Sequence, residues 1–149
     1  MSNAAMAEEL MKVNADSLGA VGRAKFDELT GKIYPDACKK QYRAAKEAYD
    51  SGEYDTVISS LETVMQMDES YNDGAAMLLL AQGYEKKGDQ DKANTTYQKI
   101  IETWPDTDVA TQAQQALDAQ SGNTDNSDSK KSDDTKKNSD SDDNGDNNN

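Results

Sequence analysis

The sequence predicts an all-α superhelix: two helical hairpins, N-terminal helices before them and a capping helix after them. Three observations carry this. Between Gly74 and Thr107, apolar residues recur at three- and four-residue spacing in two runs divided by Gly88. A second copy of that layout lies upstream, with Gly52 in place of Gly88. Beyond Pro105 a glutamine-rich segment keeps one apolar face.

Residues 5–13 (AMAEELMKV) read as a short helix with Met6, Leu10 and Val13 as its stripe, followed by capping residues from Asn14 to Ser17. A second helical pattern runs to about Ile33, with Leu18, Val21, Phe26, Leu29 and Ile33 as apolar contacts and Gly19, Gly22 and Gly31 weakening it. Tyr34-Pro35-Asp36 is expected to break the chain, because proline disfavours helix in the residue before it. Residues 5–36 are therefore set apart as N-terminal helices. Ser2-Asn3-Ala4, within residues 1–4, resembles a cloning scar, so the chain is expected to be an excised fragment.

The first hairpin spans about residues 38–71. Ala44, Ala45 and Ala48 mark its first helix, and Val57, Leu61 and Val64 its second. Gly52 and Gly88 are 36 residues apart, and the surplus over a period of roughly 34 is assigned to the link Ser70 to Asp73. In the second hairpin, residues 74–107, Leu80, Ala81 and Tyr84 share one helix face, and Ala93, Tyr97, Ile100 and Ile101 share the other. Lys86 and Lys87 suit a helix C-terminus, Gly88 the left-handed residue after it and Asp89 the next N-cap. Small Ala81 and Ala93 let the backbones approach, and Pro105 stops the second helix. Asp106 or Thr107 then caps a last helix over 108–119, with Val109, Ala110, Ala113, Ala116 and Leu117 facing back and Gln112, Gln114 and Gln115 facing water.

The second hairpin resembles the tetratricopeptide repeat (TPR). The residues that carry the likeness are Met77, Leu80, Ala81 and Tyr84, then Gly88, Ala93 and Tyr97, then Pro105. Met, Ala and Tyr stand where the pattern has Trp, Gly and Phe. The resemblance covers about residues 37–119, implies a TPR-type α-α superhelix, and is similar to TPR stretches of bacterial cell-envelope proteins. It further implies a concave groove lined by Lys39, Tyr42, Lys46, Tyr49 and Asp50 in the first repeat. The second repeat adds Ala75, Leu78, Gln82, Glu85 and Lys86. Lys39, Tyr42, Lys46, Tyr49, Leu78 and Gln82 are the candidate binding residues for a protein or peptide partner. The carboxylate clamp of some TPR co-chaperones is missing, since Tyr42, Lys46 and Leu79 occupy three of its places.

Composition narrows the function. The 149 residues are 34% hydrophobic, with a net charge of −13. Residues 120–149 hold eight of the 29 acids and four of the 16 bases, so the preceding 119 residues still carry 21 acids against 12 bases. Nucleic acid and anionic membrane surfaces select basic faces and are disfavoured as partners. Histidine is absent and Cys38 is the single cysteine, which removes Ser-His and Cys-His nucleophiles and any internal disulfide. Cys38 is placed near a helix start, where a thiolate gains a little, but reads as a small packing residue. Asp140, Asp142, Asn144 and Gly145 match only the first half of a calcium loop. No metal, cofactor or catalytic residue is assigned. The tail from residue 120 is expected to be disordered. The expectation is a non-catalytic interaction module, a monomer or weak dimer, exposed outside the cytoplasm by a membrane-anchored bacterial parent. The second reading is a self-assembly domain joined through its N-terminal helices.

Overall fold

The computed structural model describes residues 2–122; the rest of the expected tail, with the half calcium loop, lies outside the described residues. Among the described residues six α-helices follow one another: α1 (Asn3–Met11), α2 (Ala20–Ser51), α3 (Tyr54–Met67), α4 (Ala75–Lys87), α5 (Gln90–Thr103) and α6 (Asp108–Gly122). A single 3-10 turn, Ala15–Ser17, joins α1 to α2. α6 runs past the expected end of the cap, to Gly122.

The expected break at Tyr34-Pro35-Asp36 is absent: α2 passes through Pro35 as one 32-residue helix. A mid-helix proline costs about 3 kcal/mol because it cannot donate to the carbonyl four residues back and crowds it. Here that carbonyl belongs to Gly31, and both residues are exposed, so the missing donor falls on the solvent side of the helix and not in the core. The opposite face holds the helix together. Ile33 and Ala37, on either side of Pro35, are buried against Ala7 with Met6, Leu10, Leu29 and Met67 around them. Asn3 Nδ2 donates to Asp36 Oδ2 across 3.1 Å. α1 thus packs across the middle of α2, on both sides of Pro35, and α3 also packs on α2. Val21 was expected among the apolar contacts of this region, but it is 86% exposed.

Each hairpin closes on a glycine. Gly52 (φ 77°) ends α2 and Gly88 (φ 92°) ends α4, both in the left-handed region. Asp89 then caps α5, its side chain accepting from the Lys92 N–H. Thr107 caps α6 by accepting from the Ala110 N–H at 3.3 Å. The link between the hairpins carries three successive left-handed residues, Asn72, Asp73 and Gly74, and this tight coil absorbs the two surplus residues. A Cβ at Gly74 would lie 2.8 Å from Trp104 Cε3, so the Trp104 ring rests directly on this backbone.

Packing joins the hairpins into one core. Ala45, Val57, Leu61, Val64, Ala76, Ala81, Ala93, Ile100 and Ala113 have no exposed surface, and Tyr97 has 1%. Where helices come nearest the side chain shrinks to nothing: a Cβ at Gly83 would sit 3.0 Å from Val57 Cγ1. The tyrosines that fill the remaining space keep their hydroxyls paired. Tyr84 donates to Glu62 Oε1 at 2.6 Å and Tyr97 to Glu85 Oε2 at 2.7 Å.

Cys38 lies in the middle of α2 and is 1% exposed, not near a helix start. Burial, with Asp68 nearby, pushes its thiol up to about 11. Ellman's reagent at pH 8 is expected to label native protein orders of magnitude more slowly than urea-unfolded protein, because the nucleophile is the thiolate. Equal labelling rates would show that α2 and α3 open readily at Cys38.

Candidate protein-binding surface

The order of contacts bends the stack. α2 touches α4 and α4 touches α6, whereas α3 and α5 do not meet. The first helices of successive hairpins therefore crowd along an inner face and the second helices splay along an outer one, which is how a helical array acquires a concave side. α1 packs on α2 and reaches α3, but not α4. It lies on the α2–α3 side of the array and makes no contact with α4 or α6.

The candidate residues fall into three groups on this frame. Leu78 is 7% exposed and belongs to the main core, so most of its side chain is already in use. Tyr42, Tyr49 and Gln82 are half-buried. The Tyr42 ring meets Tyr71 edge-on with centroids 5.6 Å apart, and Tyr49 meets Tyr54 in the same way at 5.7 Å. Each ring is thereby held in place while part of it still faces solvent, the condition for a low-entropy apolar contact. Lys39 and Lys46 are exposed. Lys46 Nζ lies 5.9 Å from the Tyr42 ring centroid, an arrangement that keeps the ammonium beside the aromatic face.

The residues with TPR-type spacing hold the frame and not the ligand face. Met77, Leu80, Ala81, Tyr84, Ala93 and Tyr97 are buried; Gly88 makes the turn and exposed Pro105 follows α5. Burial raises the Tyr84 and Tyr97 hydroxyls far above the usual tyrosine range, and the Glu62 and Glu85 acceptors push them further. These hydroxyls stay neutral donors.

Sequence reasoning missed Tyr71 and Tyr54, the partners that fix the two candidate rings. It also left out Lys40 and Arg43, exposed neighbours of Lys39 and Lys46. The ring partners come from tertiary structure, but the two cations were visible as the run KKQYRAAK over residues 39–46, with four bases and no acid.

Among the described residues no helix is long and apolar enough to cross a membrane. Residues 75–107 match the tetratricopeptide repeat family model, which covers α4, the Gly88 turn and α5. Neither a curated protein nor a solved structure gives a significant match. Over these residues the chain is similar to the tetratricopeptide repeat, a protein-interaction fold.

Proposed function

We propose that this TPR-bearing chain is a binding module whose inner face, formed by α2, α4 and α6, holds a segment of a protein partner. The observation that carries the reading is the pair Tyr42 and Tyr49, braced from behind by Tyr71 and Tyr54 on a face that α1 leaves open. The rings supply apolar contact, Lys46 supplies a cation for an acceptor on the ligand, and Gln82 a polar group from the next repeat. Exposure outside the cytoplasm, on a membrane-anchored bacterial parent, is part of the same proposal and rests on the sequence likeness alone.

The test begins with crosslinking in lysate of the source organism to supply a partner. Tyr42→Ala and Tyr49→Ala are then compared by calorimetric affinity and by thermal midpoint. Losses approaching about 2 kcal/mol of binding at an unchanged midpoint are expected of aromatic anchors. A lowered midpoint with unchanged affinity of the folded fraction assigns both rings to packing and ends the proposal. Sedimentation of the free chain checks the second reading, in which exposed Val13 and Val21 near the N-terminal pair join two copies. A dimer growing with concentration would favour it.

A further inference from the structure

Twelve lysines and arginines lie among the described residues, and seven of them make ion pairs. Lys32 and Lys25 both reach Glu28 and hold its carboxyl down to about 2. Of the five bases without an ion pair, Lys86 stands apart; Lys39, Lys40, Arg43 and Lys46 stand together in two turns of α2. This is an unusual concentration in a chain whose net charge is −13.

Helical spacing sets Lys39, Arg43 and Lys46 on one exposed ridge, at i, i+4 and i+7, with Lys40 beside them. Tyr42 flanks the ridge, and Lys46 is drawn against its ring. Asp36, Glu47 and Asp50 border the two ends, but none forms an ion pair with the ridge. Asp36 instead accepts from Asn3. Lys39 and Arg43, four residues apart, are like charges that repel one another, and an anionic ligand would relieve that repulsion.

We infer that the Lys39–Arg43–Lys46 ridge, with Tyr42, selects an acidic peptide segment of the partner, one with carboxylates next to an apolar side chain. The inference rests on the reading of the inner face as a binding surface and names the class of ligand. Dimensions decide between polyanions. From Lys39 to Lys46 the helix rises about 10 Å, which matches roughly three residues of extended chain. A nucleic acid or an anionic bilayer would extend beyond the ridge onto exposed Asp36, Glu47 and Asp50, in a chain of net charge −13, and be repelled there. A short acidic peptide would not.

Fluorescence anisotropy of the full chain tests this, using a fluorescein-labelled peptide of repeating Glu-Glu-Leu and its Gln-Gln-Leu counterpart. The acidic peptide is expected to bind about ten-fold more tightly at low salt, with the difference shrinking as salt screens exposed charges. The combined variant Lys39→Glu, Arg43→Glu, Lys46→Glu should remove that difference, and the glutamine version of the same three changes should halve it or more. Lys25→Glu with Lys32→Glu, which alters net charge on the same helix away from the ridge, should have little effect. Circular dichroism confirms that each variant folds. Equal affinity for the two peptides overturns the inference, and so does an unaffected ridge variant or the absence of binding by either peptide. Tighter binding of an oligonucleotide or of phosphatidylserine vesicles through these residues also overturns it. If both peptides bind equally and Tyr42→Ala weakens both, the ridge falls and the binding face stands.

Discussion

Tyr97→Ala is expected to destabilise the protein by about 3–5 kcal/mol, the range for truncating a buried aromatic ring. Domains of this size have roughly 5–15 kcal/mol in total, so this one change takes much of what holds the fold. Tyr97 is the largest fully buried side chain, 1% exposed, and its ring stands where α4 meets α5. Urea unfolding measures the loss. Tyr97→Phe separates ring from hydroxyl: it keeps the packing and gives up one hydrogen bond to Glu85, worth about 0.5–1.5 kcal/mol. A similar loss in both variants would mean that the ring is loosely packed and that the hydroxyl carries the contribution. The hydroxyl also sets an alkaline limit. Its folded-state value lies above the ordinary value, about 10 for an unfolded chain, so its contribution is complete below that pH. The contribution declines as pH rises beyond it. Tyr97→Phe should flatten that decline, leaving the shares due to Tyr84, Cys38, Tyr34 and Tyr71, whose values burial also raises.

Gly74→Ala should cost about 2–5 kcal/mol, from two separable causes. A left-handed backbone costs an L-residue roughly 1–2 kcal/mol, and forcing a methyl into an occupied site about 1–3 kcal/mol. At Gly74 both apply, since φ is 87° and the Trp104 ring fills the space. At Gly88 only the first applies: φ is 92° with nothing within 4 Å of the would-be Cβ. Gly88→Ala is thus the control, and the difference between the two variants measures the ring contact. Adding Trp104→Leu to Gly74→Ala should recover part of the loss, as expected for two groups that share one space. Equal effects at Gly74 and Gly88 would show that the Trp104 ring swings aside at no cost.

Local signals in the sequence carried the repeat unit. Gly88 after two lysines, Asp89 after Gly88, and buried Ala81 and Ala93 each answer to propensity or spacing within one helical pair, and these make the hairpin readable. Pro35 shows where such signals stop. Its local penalty is real, but Ile33 and Ala37 are buried against α1 on the far side of the helix. No rule confined to neighbours along the chain contains that contact. The Gly74–Trp104 contact was hidden for the same reason, being thirty residues apart in sequence. On the candidate surface, residue positions were legible and residue states were not. Leu78 and Tyr42 occupy equivalent-looking places, yet one is sealed in the core and the other half open, because that depends on which helices pack nearby. The ridge was legible as a run of bases. What the sequence lacked was the knowledge that Lys25 and Lys32 already have Glu28 while Lys39, Arg43 and Lys46 have no such partner.

The unbroken course of α2 also bears on how the chain is made. Contacts here join segments close in sequence, which favours rapid folding, and synthesis delivers the N-terminal part first. The emerging part of α2 up to Ala37 can fold back on α1 before α3 has been translated. A nucleated helix then only has to lengthen, and elongation is far easier than a new start. The rest of α2 would grow from that seed beyond Ala37 and present a formed surface to α3. In this order the N-terminal pair would prime the array, a role separate from anything the inner face later holds.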